Sequence, residues 1–135
     1  MSAGYSKRSL LQKLGIKSGF RMAFFNAPAD YRVKLGKLPE DAKVETQSMS
    51  GLDFIHLFTR SKSHLENEFP KLKRMLSHEG MLWVSWPKGT SGVNTDLNEN
   101  VIRKVGLDNG LVDVKVAAVD EVWSGLKFVF RVIDR

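Results

Sequence analysis

The chain has 135 residues, the size of one domain with a real hydrophobic core. Its 42% hydrophobic and 27% charged residues are ordinary for a globular protein. The absence of cysteine excludes disulfides, thiolate catalysis and cysteine-ligated metals together, and no apolar run approaches the roughly 20 residues that span a bilayer. The formal charge is +6 and unevenly spread: Lys7, Arg8, Lys13, Lys17 and Arg21 open the chain with no acid among them. These charges break every apolar run near the start, so no signal-peptide core forms and cytoplasmic residence is the expectation. The basic opening reads as a solvated face, with salt-sensitive nucleic-acid contact as the alternative.

In chain order, residues 6–14 predict a short helix with Ser6 as its cap, Leu10, Leu11 and Leu14 on one face and Gly15 as its stop. Residues 20–25 predict the first strand, stopped at Asn26-Ala27-Pro28 because proline cannot donate to a ladder. A helical turn or two over 29–35 closes at Gly36, and a short strand covers 42–46. Both alternation classes of Leu52 to Phe58 are largely apolar, as in a central strand covered on both faces.

Residues 61–78 carry Leu65, Phe69, Leu72 and Leu76 at helical spacing. Ser63 and Glu66 fit a capping box, Pro70 predicts a kink or restart, and His78 with Gly80 marks the end. Met81 to Trp86 is a second fully apolar strand. Asn94 or Thr95 caps the next helix, whose inner face holds Leu97, Val101, Ile102 and Val105. Asp108-Asn109-Gly110 is a turn. Val112, Val114 and Val116 alternate with Asp113 and Lys115 as in a half-exposed strand. A hairpin-like link over 120–125 leads into the last strand, where Leu126, Phe128, Phe130 and Val132 alternate with Lys127, Val129 and Arg131. The expected fold class is α/β: a three-layer, Rossmann-like, mostly parallel sheet with helices on both faces and an antiparallel C-terminal strand at one side.

That ordering resembles a truncated class I methyltransferase core. The segment Leu52-Asp53-Phe54-Ile55-His56 is similar to the strand after the cofactor-binding half of those enzymes. Residues 76–86 are similar to their helix end and next strand, and residues 110–132 to their terminal strand pair. Trp83-Val84-Ser85-Trp86-Pro87-Lys88 and residues 119–128, from Val119-Asp120-Glu121 to Lys127-Phe128, resemble the signatures of a small bacterial family of unknown function with such a core, over nearly the whole length. The resemblance implies a fold and a bacterial source, and no assigned activity. Methyltransferases of this class need a glycine-rich turn after the first strand, so that the backbone can approach the cofactor. Here the turn is Asn26-Ala27-Pro28-Ala29-Asp30, so the ordinary mode of S-adenosylmethionine binding is not expected and the cofactor, if any, is left open. The short segment before Leu52 implies a reduced or missing crossover helix.

In a parallel sheet the strand C-termini share an edge, and ligands bind there. Four loops should meet at it: residues 26–30, 59–63, 87–95 and 120–125. The expected ligand contacts are Asn26, Lys88 and Ser91 for an anion, Trp86 and Trp123 as an apolar wall, and Asp120 beside them. Arg60, Lys62, Thr90, Glu121 and Ser124 share the edge. Residues 87–92 have phosphate-loop ingredients without the Walker spacing, since Lys88 precedes both Gly89 and Gly92. A connector is the plainer reading of that loop, packing that of the two tryptophans, and pairing with Lys88 or Lys127 that of Asp120 and Glu121.

His56 reads as a satisfied core residue, and His64 and His78 as helix-face and helix-end residues. No metal-binding spacing and no G-x-S-x-G elbow exist, so no metal site is expected and Ser85 and Ser91 show no base. Glu99 and Arg103 read as an i,i+4 surface pair. The favoured function is non-catalytic binding of an anionic or nucleotide-like small molecule, or of a protein partner, at the strand C-terminal edge. The alternatives are a methyltransferase-like enzyme with Asp120 or Glu121 as general base, and nucleic-acid association through the basic N-terminus. An apolar edge over 126–132 makes a homodimer an expectation to test, while membrane insertion is not expected.

Overall fold

The computed structural model describes residues 8–47 and 49–135. A six-stranded sheet runs in the order β2-β1-β3-β4-β6-β5. Its strands are β1 (Arg21–Phe25), β2 (Lys43–Val44), β3 (Leu52–Phe58), β4 (Leu76–Pro87), β5 (Leu111–Ala118) and β6 (Trp123–Phe130). β1 to β4 are mutually parallel, and β6 is antiparallel to both β4 and β5. The antiparallel strand therefore lies inside the sheet rather than at its side. Residues 126–130 are covered by β5, which is itself the edge strand, and Val132 and Ile133 lie beyond β6, exposed.

On one face α3 (Lys62–Met75) and α4 (Glu99–Asp108) bury Leu65, Phe69, Leu72, Ile102 and Val105 against Ile55, Leu57, Leu82, Val84 and Phe128. Each fully buried side chain of this kind is worth about 2 kcal/mol. On the other face α1 (Leu10–Leu14) and α2 (Tyr31–Leu35) bring Leu14, Tyr31 and Leu35 onto Met22, Phe54, Phe58 and Trp83. The Trp83 indole N–H donates to the Leu14 carbonyl at 2.9 Å, so this fully buried ring loses no hydrogen bond. Among the described residues, only the five-residue α2 and the two-residue β2 lie between β1 and β3, the expected truncation.

The helix boundaries correct several expectations. Ser9, not Ser6, caps α1 in a reciprocal box with Gln12; Ser6 lies outside the described residues. Ser61, not Ser63, caps α3 by accepting from the His64 N–H, and Asn98, not Asn94 or Thr95, caps α4. Pro70 lies inside α3 without ending it, because Phe69 and Leu72 on either side are locked into the core. α3 stops at Met75, ahead of His78 and Gly80, since Leu76 is already paired with Leu52 in the sheet. Gly80 belongs to a bulge in β4: a Cβ there would lie 2.7 Å from the Leu52 carbonyl oxygen. A second bulge falls between Asp113 and Lys115, which breaks the alternation of β5 and leaves Val114 and Val116 about half exposed.

Candidate functional site

The chain runs from β1 outward to β2, then returns to place β3 on the other side of β1. That reversal is a topological switch point, and open α/β sheets bind ligands in the crevice outside the strand ends flanking it. A crevice of about 690 Å³ opens at that place, lined from Asn26 to Pro28 after β1, from Phe58 to Ser61 after β3, and by His64 and Trp123.

Local conformation builds its rim. Asn26 has φ 57°, left-handed backbone that asparagine tolerates better than other non-glycine residues. It supplies the sharp exit from β1 that glycine supplies elsewhere, while Ala27 and Pro28 keep side chains on the rim. The Asn26 amide donates to His64 Nε2 at 3.3 Å, and His64 Nδ1 lies 2.7 Å from Thr59 Oγ1, whose hydroxyl donates to the Ser61 carbonyl. Since an amide N–H can only donate, His64 carries its proton on Nδ1 and presents a lone pair on Nε2. Phe58 and Trp123 meet edge to face with centroids 5.2 Å apart, forming an aromatic wall. Arg60 is exposed on the rim.

Both neighbouring helix N-termini are occupied by the chain itself. Asp96 accepts from the Lys62 N–H at 2.8 Å, beside the Ser61 cap, and Asn98 accepts from the Val101 N–H of α4. Thr95 donates to the Arg60 carbonyl at 2.7 Å and binds the two loops together. A ligand anion in the crevice would therefore rely on side chains rather than on the α3 dipole.

Among the residues expected at the site, Asn26 and Trp123 line the crevice together. Trp86 points to the α3–α4 face and is buried there. Lys88 is half-buried, and its backbone N–H is tied to the Val122 carbonyl at 2.7 Å. The Ser91 hydroxyl donates to the Lys88 carbonyl and accepts from Val93, which shapes its own loop. Asp120 pairs with Lys34 at 2.9 Å rather than with Lys88 or Lys127, and accepts from the N–H groups of Val122 and Trp123. Burial works against its charge, but the bonds from Lys34, Trp123 and Val122 outweigh it and hold its pKa below the ordinary carboxylate value. That carboxylate anchors the hairpin presenting Trp123.

Sequence reasoning missed His64 and Phe58 as lining residues, while Thr59 lies in the 59–63 loop expected there. The available signal was position: Phe58 ends a central strand, and His64 stands about one helical turn past it.

Beneath the wall lies a second polar group. Tyr31 O–H, His56 and Ser85 Oγ form a chain with Tyr31 2.6 Å from Nδ1 and Ser85 2.7 Å from Nε2. One imidazole nitrogen donates and the other accepts. Burial alone pushes His56 down to about 3 and drives the Tyr31 phenol well above its ordinary value, so both are neutral. His56 is thus the satisfied core residue its strand implies. Ser85 does have an imidazole beside it, which sequence spacing hid, but both are 0% exposed, so no substrate reaches them.

No family model matches the chain, and no curated protein matches it. Solved structures do. A SAM-dependent methyltransferase from Aquifex aeolicus superposes with a TM-score of 0.60 at 12% identity, over 88% of this chain and 86% of that one. Magnesium protoporphyrin IX methyltransferase from Synechocystis with bound SAM gives 0.57 at 11%, over 90% and 74%. A TehB-like SAM-dependent methyltransferase from Corynebacterium glutamicum gives 0.55 at 10%, over 95% and 90%.

The crevice does not fit S-adenosylmethionine in the ordinary manner. No carboxylate lines it to accept ribose hydroxyls, and the turn after β1, Asn26-Ala27-Pro28, has no glycine to let the backbone approach the cofactor. The likeness is one of architecture: this chain has a truncated, class I methyltransferase-like Rossmann core.

Proposed function

We propose that the crevice outside β1 and β3 binds a small, nucleotide-like anion. The observation that supports this reading is the lining itself, at the switch point of the sheet: an aromatic wall of Trp123 backed by Phe58, an exposed guanidinium on Arg60, the Asn26 amide and Thr59 hydroxyl joined through the His64 ring, and no carboxylate. The ring of the ligand packs on Trp123, which Phe58 backs from beneath, and its negative group meets Arg60.

Methyl transfer is the second reading, and the solved neighbours, named as SAM-dependent methyltransferases, favour it over a purely binding role. Isothermal titration of the chain with adenine and guanine nucleotides, S-adenosylmethionine and S-adenosylhomocysteine separates the two. The anion reading expects a nucleotide to bind, and Trp123→Ala or Arg60→Gln to weaken it at least tenfold. Binding of S-adenosylmethionine with no nucleotide binding replaces it with the methyltransferase reading. No binding by any of these compounds overturns both.

A further inference from the structure

Four lysines far apart in sequence meet at the C-terminal end of α1. β5 and β6 pair Lys115 directly opposite Lys127, and like charges in that relation repel. Lys115 Nζ donates to the Lys13 carbonyl at 3.0 Å, which satisfies one orphan carbonyl of the helix end. Lys127 Nζ lies 3.9 Å from where a Cβ on Gly15 would stand, next to the turn that carries Lys17. None of Lys13, Lys17, Lys115 and Lys127 makes an ion pair among the described residues. Shallow depressions adjoin the cluster on both sides, one holding Arg8 and Lys17, the other holding Lys127, Arg135, His78 and one acid, Glu79.

Helix capping accounts for Lys115, and the stem of Lys127 can cover Trp83, its partner in β4. Neither accounts for gathering further ammonium groups around a half-buried Lys127 with no ion-pair partner. Burial lowers the pKa of Lys127, and Lys115 and Lys17 lower it further, so the cluster stands in its own repulsive field. A bound anion relieves that repulsion and exchanges lost hydration for charge-assisted hydrogen bonds.

We propose that Lys17, Lys115 and Lys127 form a second ligand site, for a phosphate group, sharing no residue with the crevice. Its ammonium groups are rotatable point charges without the fork geometry that selects carboxylates, which suits a phosphate approached from several directions.

Pyrophosphate and a 12-nucleotide single strand, each titrated calorimetrically at low ionic strength, present the same group from a free and a polymeric source. The expected result is binding of at least one, weakened tenfold or more in Lys127→Gln and Lys17→Gln, retained in Lys127→Arg and unchanged in Lys104→Gln. Lys127→Gln should melt no lower than the parent protein in phosphate-free buffer, so that lost binding is not lost folding. Binding by pyrophosphate alone assigns a free phosphate; binding by the oligonucleotide alone, with an affinity falling steeply with salt, assigns a phosphodiester chain. No binding by either, or equal loss in Lys127→Gln and Lys104→Gln, overturns the site.

Discussion

His56 sits fully buried on a strand with both ring nitrogens bonded, and its neutrality has a measurable consequence. The unfolded chain protonates this histidine near its ordinary pKa of 6.5, while the folded chain resists until about 3. Between those values the unfolded state holds one more proton, so stability is fully present above pH 6.5 and declines as pH falls, by about 1.4 kcal/mol per unit. Urea denaturation at pH 7 and pH 5 should show a loss of about 2 kcal/mol from this group. A His56→Asn variant should lack that share of the loss, and equal pH dependence in the two proteins would contradict the neutral, buried imidazole. At this scale the sequence was legible in part. A histidine within Leu52 to Phe58 had to be buried, and buried imidazole has to be bonded. That Tyr31 and Ser85 are its partners depends on contacts 25 and 29 residues away, which no local pattern carries.

The elements themselves were legible, their ends less so. Leu65, Phe69 and Leu72 announce α3 by spacing and are all buried, but Leu76 extends the same helical stripe while pairing as a strand residue. Periodicity cannot separate a last helical turn from a first strand residue when both bury the same side chain. The same ambiguity misplaced the cap, because Ser61 and Ser63 both precede the apolar stripe. Ser61→Ala should cost about 1 kcal/mol, and Ser63→Ala, exposed in the first turn, should stay within about 0.5 kcal/mol of the parent. Chemical denaturation of the two variants decides between the caps. Glu99 and Arg103 form the i,i+4 pair that their spacing implied, and Arg103 also reaches Asp113 at 2.8 Å. The further bond ties α4 to the edge strand, a long-range gain invisible to helix spacing.

For the molecule as a whole, the order of strands and helices sufficed to recognise the architecture. It did not reveal which loops converge closely enough to share a ligand. The crevice joins residues near 26, 60 and 123, and the lysine cluster joins residues 13, 17, 115 and 127; only the completed sheet makes either set adjacent. Stability should be graded across that sheet. β3 and β4 are held on both sides, whereas β2 is two residues long and, among the described residues, pairs with β1 alone. Amide hydrogen exchange should therefore find the β2 amides opening locally and exchanging at least ~100-fold faster than those of β3, which require global unfolding. Equal protection in the two strands would mean that β2 belongs to the same cooperative unit as the core.

The place of β6 also constrains the order in which the native state can be assembled. β5 is synthesised first, yet among the described residues its only partner in the sheet is β6, and β4 likewise waits for β6 on one side. Until β6 has been made, a nascent chain leaves the ladder of β4 open and β5 unpaired, with Phe128 and Phe130 still missing from the core. Folding of this half is thus coupled to the last strand rather than progressive, and an interrupted chain would present two unsatisfied strand edges of the kind that invite aggregation.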